Sequence, residues 1–179
     1  MANDYNALRY ADETDRCFGL AGMAISLVVW DAEDLLRGID LDAPAEEALQ
    51  LSPEFHYCLS PKTGAKAAWE ASFRHFQLIA AMTVANITCR HLVRLHHSSI
   101  DHRIDAAIRG FLNEEGAELC QLEPDEVSRI YGQILTHCSR IFRHPGVSSL
   151  ASSLSDIIAR EKVIGSDVLL EHLRPLNRM

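Results

Sequence analysis

The fold is decided by residues 65–109, AKAAWEASFRHFQLIAAMTVANITCRHLVRLHHSSIDHRIDAAIR. This stretch contains neither glycine nor proline, although nine glycines and six prolines occur elsewhere in the 179-residue chain. Those two residues are the least compatible with a helix interior, whereas alanine and leucine, both frequent here, are among the most compatible. The stretch therefore predicts a long helical block at the centre of an all-α fold.

A single helix over this stretch would be too long for a compact chain. It would measure about 68 Å at about 1.5 Å per residue, whereas a folded chain of 179 residues is roughly 40 Å across. The predicted break falls at His97-Ser98-Ser99, because Ser98 followed by Asp101 resembles a capping box.

The central helix is predicted to begin at Ser60 and Pro61. Serine caps helix N-termini, and proline fits the first turn, where its missing N–H is not needed. The long central helix is therefore predicted over about 61–97. Even this shortened helix overhangs a compact globule, which indicates a partner subunit.

Apolar periodicity predicts two further helices, one before and one after the central helix. A first helix is predicted over about 12–37, ended by Gly38, and the connection 39–62 is predicted to contain only a short helix at 44–50. After the break, apolar residues at helical spacing over 100–112 predict another helix.

The clearest helical pattern follows Glu123-Pro124-Asp125-Glu126, which places a proline and carboxylates in a first turn. Its apolar stripe ends at Pro145 and Gly146.

The chain closes with two shorter predicted helices, one around 150–158 and one from Ser166 to Pro175. The sequence contains no convincing strand. We therefore predict an all-α fold, a helical bundle of four long helices plus a short C-terminal helical hairpin, in a single all-helical domain over residues 1–179.

Charge is concentrated at one end of the chain. Residues 1–50 form an acidic N-terminal segment that accounts for the whole net charge of −8, while the remainder is balanced. An acidic surface repels phosphate backbones, so nucleic-acid binding is not expected. Residues 62–109 are locally basic. Arg90, Arg94, Arg103 and Arg109 are predicted to belong to ordinary solvated helix faces; the alternatives are that they pair with the acidic segment of their own chain or with that of a second subunit.

The cysteines and the apolar runs bear on the cellular compartment. The five cysteines are odd in number and scattered, which favours free thiols in a reducing compartment. The longest uncharged runs, residues 17–30 and 76–89, fall short of the roughly 20 residues that a membrane span requires. A cytoplasmic protein without a membrane span is expected.

Histidines are the main candidates for chemistry, since five of the nine lie within residues 65–109. Two ligands on one helix must be three or four residues apart to share an ion, and His75 and Cys89 share a face but are about 21 Å apart along the axis. His91 is predicted to be a hydrogen-bonded core histidine. No metal and no cofactor is expected; if a metal site exists, its candidate ligands are His75, Cys89, His96, His97, Asp101 and Asp105, joined by His56 or His137.

Motifs for catalysis are missing from the sequence, which has no P-loop, no Gly-x-Ser-x-Gly and no His-Glu-x-x-His. The leading hypothesis is therefore a non-catalytic binding or interaction module, a homodimer with a possible protein partner. The alternative is a metal-assisted hydrolase-like enzyme with a His/Asp site assembled between helices. A third hypothesis is a carrier of apolar ligands that uses Trp69, Phe73, Phe76 and Met82.

Overall fold

The computed structural model of this protein describes residues 5–56 and 64–178. Within these ranges the chain forms helices α1 (Glu13–Val29), α2 (Pro53–His56), α3 (Ala65–Thr88), α4 (His102–Cys120), α5 (Pro124–Arg143), α6 (Pro145–Glu161) and α7 (Ser166–Leu173), and strands β1 (Leu36–Asp40), β2 (Leu49–Leu51) and β3 (Val163–Gly165). The predicted helical fold is confirmed. None of the described helices is long and apolar enough to cross a membrane.

The centre of the molecule is the contact between α1 and α3. Helix α1 also packs against α6, and α3 against α4 and α5. Gly22 allows the two central helices to approach closely, because a Cβ atom at this position would lie 2.5 Å from the Ala85 carbonyl oxygen and 2.7 Å from Cys89 Cβ. Apolar residues from both sides of this contact belong to one continuous buried core.

The first helix ends earlier than the sequence predicts. Residue Asp31 adopts a left-handed conformation with φ 51°, and the Ala32 N–H donates to the Leu27 carbonyl, an arrangement that commonly ends helices. Aspartate tolerates this conformation. The prediction of one helix over 12–37 is therefore wrong for its last third, which forms a 3₁₀ turn (Glu33–Leu35) and β1.

A small antiparallel sheet corrects the prediction that the chain lacks strands. Its order is β2-β1-β3, with Ile39 of the central strand opposite Leu49 and Ile164. Gly38, predicted to end a helix, lies inside β1, where a Cβ atom would be 2.6 Å from the Ile164 carbonyl oxygen. The helix predicted at 44–50 is also wrong, since this segment forms turns and the start of β2.

The long central helix is interrupted close to the predicted position. Helix α3 continues into a π-helical turn (Cys89–Arg94), after which residues 95–101 are irregular and His96 has φ 54°. Asp101, not Ser98, caps α4 by accepting a hydrogen bond from the Arg103 N–H at 2.8 Å. The predicted start at Ser60 and Pro61 lies outside the described residues, and Gly64 occupies the position before α3.

The second half of the chain contains more long helix than predicted. Helix α5 begins as expected, with Glu123 and Glu126 forming a reciprocal capping box. Helix α6 has 17 residues, so the described residues contain five helices of at least 17 residues in place of the predicted four. The predicted C-terminal hairpin of two short helices is therefore wrong: the long α6 is joined to α7 through β3.

Candidate functional site

A cleft of about 1250 Å³ opens between the N-terminal turn, α1, the connection around β2, and α3. Its apolar lining includes Met23, Leu51, Ile79, Met82 and Phe111. Ligand pockets commonly measure about 300–1000 Å³. This cleft is therefore large enough to accept a peptide segment as well as a small molecule.

Polar groups occupy two places around the cleft. At one end the Asn86 amide donates to the Tyr10 hydroxyl at 2.7 Å, and burial is the largest of the effects that raise the pKa of Tyr10. Glu46 and Glu47 are exposed on the connection before β2, and Arg9 is exposed in the segment before α1. The cleft thus combines an apolar lining with a charged rim that is acidic on balance.

The wall formed by the N-terminal turn is held by a buried ion pair between Arg90 and Asp15, which are 4% and 3% exposed. The Arg90 guanidinium donates to the Asp15 carboxylate at 2.6 and 2.9 Å and to the carbonyl groups of Leu8 and Arg9. It also lies over the Tyr10 ring. Arg90 thereby joins the π-helical turn to the segment that precedes α1.

A second arginine extends this network, since Arg94 binds both Asp15 and Asp12. Burial by itself raises the pKa of Asp15, but hydrogen bonds from Arg90 and the Ala11 N–H, together with the arginine charges, outweigh burial and lower it. For Arg90 and Arg94 the prediction of solvated helix faces is wrong, and the alternative is observed, since both pair with the acidic segment of their own chain. Arg109 instead pairs with Asp105 on its own helix.

The π-helical turn also brings two histidines together. The rings of His91 and His97 have centroids 5.6 Å apart, with their planes at 49°, and the His97 N–H donates to the His91 carbonyl. His91 is only 8% exposed, and its buried Nδ1 has no hydrogen-bond partner among the residues that the structure describes. Burial, followed by the charges of Arg90 and His97, lowers the pKa of His91. The prediction of a core histidine is thus confirmed for its burial and wrong for its hydrogen bonding at Nδ1.

The candidate ligands His75, on α3, and Cys89, at the start of the π-helical turn, lie in different surroundings. His75 contacts the ring of Phe55, 4.6 Å away between centroids. Cys89 is fully buried, and burial raises the pKa of its thiol, which disfavours the thiolate that binds metals. His56 also borders Phe55, whereas His137 lies against Trp30.

The candidate carboxylates are engaged in structural roles. Asp105 accepts hydrogen bonds from the Tyr131 hydroxyl at 2.6 Å and from Arg109 at 2.8 Å, which links α4 to α5. Asp101 caps α4, and His96 is exposed in the irregular segment 95–101. Among the residues that the structure describes, no three histidine, cysteine, aspartate or glutamate side chains are grouped to hold a metal ion.

The four residues proposed for an apolar carrier do not line a common slot. Met82 borders the cleft, but Phe76 is completely buried. Trp69 is 49% exposed and stacks on Phe73 with centroids 5.1 Å apart, near the start of α3.

The sequence does not predict two features of the structure, the cleft and the close approach of His91 and His97. The cleft depends on β2, which was predicted to be helical, and on the distant Phe111. The pairing of His91 with His97 depends on the π-helical turn, because residues six apart do not share a face in a regular α-helix. The glycine-free sequence contained no signal for that turn.

No protein-family model matches the chain, and comparisons with curated proteins and with solved structures give no match either. The functional argument therefore rests on the geometry of the molecule.

Proposed function

We propose that this chain is a non-catalytic binding module that acts as a homodimer in the cytoplasm, and that its cleft receives an extended apolar segment of a partner protein that carries basic residues. The cleft is the observation that carries this proposal, because its volume of about 1250 Å³ and its mainly apolar side chains suit a peptide.

The extended form of the partner segment follows from the position of β2. This strand lies at an edge of the sheet, and its three residues, Leu49, Gln50 and Leu51, all border the cleft. Successive side chains of a strand point to opposite faces, so a cleft that touches all three runs along the strand edge. Peptides commonly bind such edges by adding a strand through main-chain hydrogen bonds.

The chemistry of the partner follows from the lining. Met23 and Met82 contribute unbranched, adaptable side chains of the kind that fit varied apolar surfaces. Exposed Glu46 and Glu47 lie on the rim and attract basic residues. Such exposed pairs contribute little affinity but make association sensitive to salt.

Binding is favoured over catalysis because the buried charged side chains near the cleft are engaged in holding the fold. Arg90 makes five side-chain hydrogen bonds, and its main partner, Asp15, is also held by Arg94. These groups are positioned by tight mutual contacts, which leaves the cleft lining to provide recognition through shape and apolar contact.

The homodimer is proposed from the exposed start of α3. Together with the π-helical turn, α3 extends from Ala65 to Arg94, about 45 Å at about 1.5 Å per residue. Trp69 and Phe73 form a stacked pair on its exposed turns, and aromatic side chains are enriched at interfaces. A second copy that packs on this pair would bury both rings.

The cytoplasmic assignment is supported by the cysteines. Cys17, Cys89 and Cys138 are free and buried, as expected for a protein of a reducing compartment.

Selection of short random peptides displayed on phage tests the binding proposal. We expect enriched sequences to alternate apolar residues and to contain lysine or arginine. Calorimetry with a synthetic selected peptide should then show at least about tenfold weaker binding to Thr83→Trp, which fills the cleft from α3, corresponding to about 1.4 kcal/mol. The double variant Glu46→Lys/Glu47→Lys should bind more weakly and lose its salt dependence.

The matched control is Asp156→Lys, an exposed charge reversal on α6, which should bind like the wild type. The proposal is wrong if no peptide is enriched, or if the selected peptide binds Thr83→Trp as tightly as the wild type.

Light scattering at micromolar concentration tests the homodimer. The wild type should have twice the 20.0 kDa mass of the chain, and Trp69→Ser/Phe73→Ser should be monomeric. Val168→Ser, which removes an equally exposed apolar side chain from α7, should remain dimeric. A strictly monomeric wild type contradicts the dimer without affecting the peptide experiment.

A further inference from the structure

We propose that His91 and His97 form a binding site for one divalent transition-metal ion, with zinc as the probe. This site is separate from the cleft function, and it would connect the π-helical turn to the irregular segment 95–101. Nδ1 of His91 is a buried nitrogen without a hydrogen-bond partner in residues 5–56 and 64–178. A buried polar atom without a partner costs free energy and calls for an explanation.

The second imidazole supplies that explanation, because the ring separation suits a shared ion. A metal–nitrogen distance of about 2.0–2.1 Å puts each ring centroid about 3.2 Å from the ion, so two imidazoles at a tetrahedral angle have centroids about 5.2 Å apart. The observed separation of 5.6 Å differs by less than a small rotation of the exposed His97 ring provides.

The local backbone favours this pairing. The π-helical turn places His97 next to His91 with a main-chain hydrogen bond of 2.9 Å between them, and turns of this kind occur frequently at functional sites. His96, between the turn and His97, is held in the left-handed region at φ 54°. The two rings are therefore brought together by a defined backbone path.

The surrounding charges are compatible with a cation. Arg90 disfavours positive charge at His91, and Asp15 and Asp101 favour it. The effect of Arg90 is larger than that of either carboxylate, so the His91 imidazole is kept neutral, which is the form that coordinates metals. Imidazole binds zinc, copper and nickel well. Because the protein would supply only two ligands, water molecules would complete the coordination shell and the affinity would be moderate.

Metal titration of protein purified without an affinity tag tests this site. We expect the wild type to bind one equivalent of Zn²⁺ by equilibrium dialysis with elemental analysis, and to show a higher melting temperature with Zn²⁺ than with a chelator. His97→Ala should bind Zn²⁺ at least about tenfold more weakly, about 1.4 kcal/mol, and should lose the thermal shift. Because His97 is exposed, its replacement leaves the core intact, which circular dichroism verifies.

The matched control is His102→Ala, which removes an exposed histidine at the start of α4 and should retain wild-type binding. His91→Gln provides a second test, since it removes the buried ligand and should abolish binding even if His97 is present. The proposal is overturned if the wild type binds no Zn²⁺ up to millimolar concentration, or if His97→Ala binds as tightly as His102→Ala.

Discussion

The two ends of α3 are held in different ways, although no glycine or proline separates them. Residues 65–75 are exposed or half-buried and include the stacked Trp69 and Phe73. Residues 76–93, which continue into the π-helical turn, are mostly buried. The buried part contacts α1 through Gly22, and the π-helical turn that follows carries Arg90 in its ion pair. Helix formation is therefore common to both ends, but fixed tertiary contacts are concentrated at one.

This difference separates stability from recognition along one element. The buried end joins α1, the N-terminal turn and the π-helical turn into one core, so changes there should affect the free energy of unfolding. The exposed end contributes little to that core, so changes there should affect association. The following predictions test this separation, from the largest expected effect to the smallest.

Replacement of Arg90 should have the largest effect. Arg90→Ala leaves buried Asp15 with only Arg94 and the Ala11 N–H as partners, and it removes the Arg90 donors from the Leu8 and Arg9 carbonyl groups. Removing one partner of a buried pair costs about 3–5 kcal/mol, and urea unfolding measures this loss. Arg160→Ala, which breaks an exposed pair with Glu161, should cost about 0–1 kcal/mol; similar losses for both variants would contradict the assigned role of Arg90.

Two glycine substitutions should have opposite signs. Gly22→Ala inserts a methyl group against the backbone of α3 and should destabilise by about 1–3 kcal/mol, as overpacked cores do. Gly132→Ala lies in α5, where no atom lies within 4 Å of an added Cβ, and should stabilise by about 0.5–1 kcal/mol because alanine favours helix. Equal effects in urea unfolding would show that α1 and α3 do not approach closely at Gly22.

Acidification should weaken the fold through His75. Burial, followed by the charge of His56, lowers the pKa of His75, so the unfolded chain takes up a proton at a higher pH than the folded chain. The free energy of unfolding should therefore fall as the pH drops below the ordinary histidine pKa of about 6.5. His75→Gln should reduce this pH dependence in urea titrations; an unchanged slope would assign the effect to other groups.

Trp69→Ser should have the smallest effect on the monomer. Because Trp69 is half exposed, the free energy of unfolding at low protein concentration should change by about 0.5 kcal/mol or less. The wild-type unfolding midpoint should rise with protein concentration, as binding to the folded state requires, and this rise should disappear in the variant. A large loss at every concentration would instead place Trp69 in the core of the monomer.

Local signals predicted much of the helical structure. The capping box at Glu123, the proline that follows it and the apolar stripe of α5 act over a few residues, and they placed that helix correctly. Chain length compared with molecular diameter required a break in the central helix, and the capping signal of Ser98 and Asp101 placed it within a few residues of its observed position. Both arguments need only neighbouring residues or the size of the chain.

The prediction failed where distant segments decide the local structure. The segment after Val29 has helical periodicity, but it forms a strand. Its Gly38 packs closely against β3, which lies more than a hundred residues later in the chain. The C-terminal end of α1 was missed because an aspartate, Asp31, takes the left-handed position that glycine usually occupies. Neither feature can be read from hydrophobic spacing.

The candidate sites were less predictable than the fold. Charge patterning offered pairing between the acidic segment and the arginines of the central stretch only as an alternative to solvated helix faces, and Arg90 and Arg94 follow this alternative. The sequence did not indicate the cleft, which combines residues from α1, β2, α3 and α4, nor the approach of His91 and His97.

The sequence by itself determined that this protein is helical, where its central helix breaks and which charges are available to pair, because propensity, capping and net charge are properties of local sequence. The tertiary structure alone decided which charges meet, which end of α3 is buried and where the cleft opens. Burial and side-chain proximity depend on the packing of segments that are far apart in the chain. The tertiary structure also brings the rings of His91 and His97 close together.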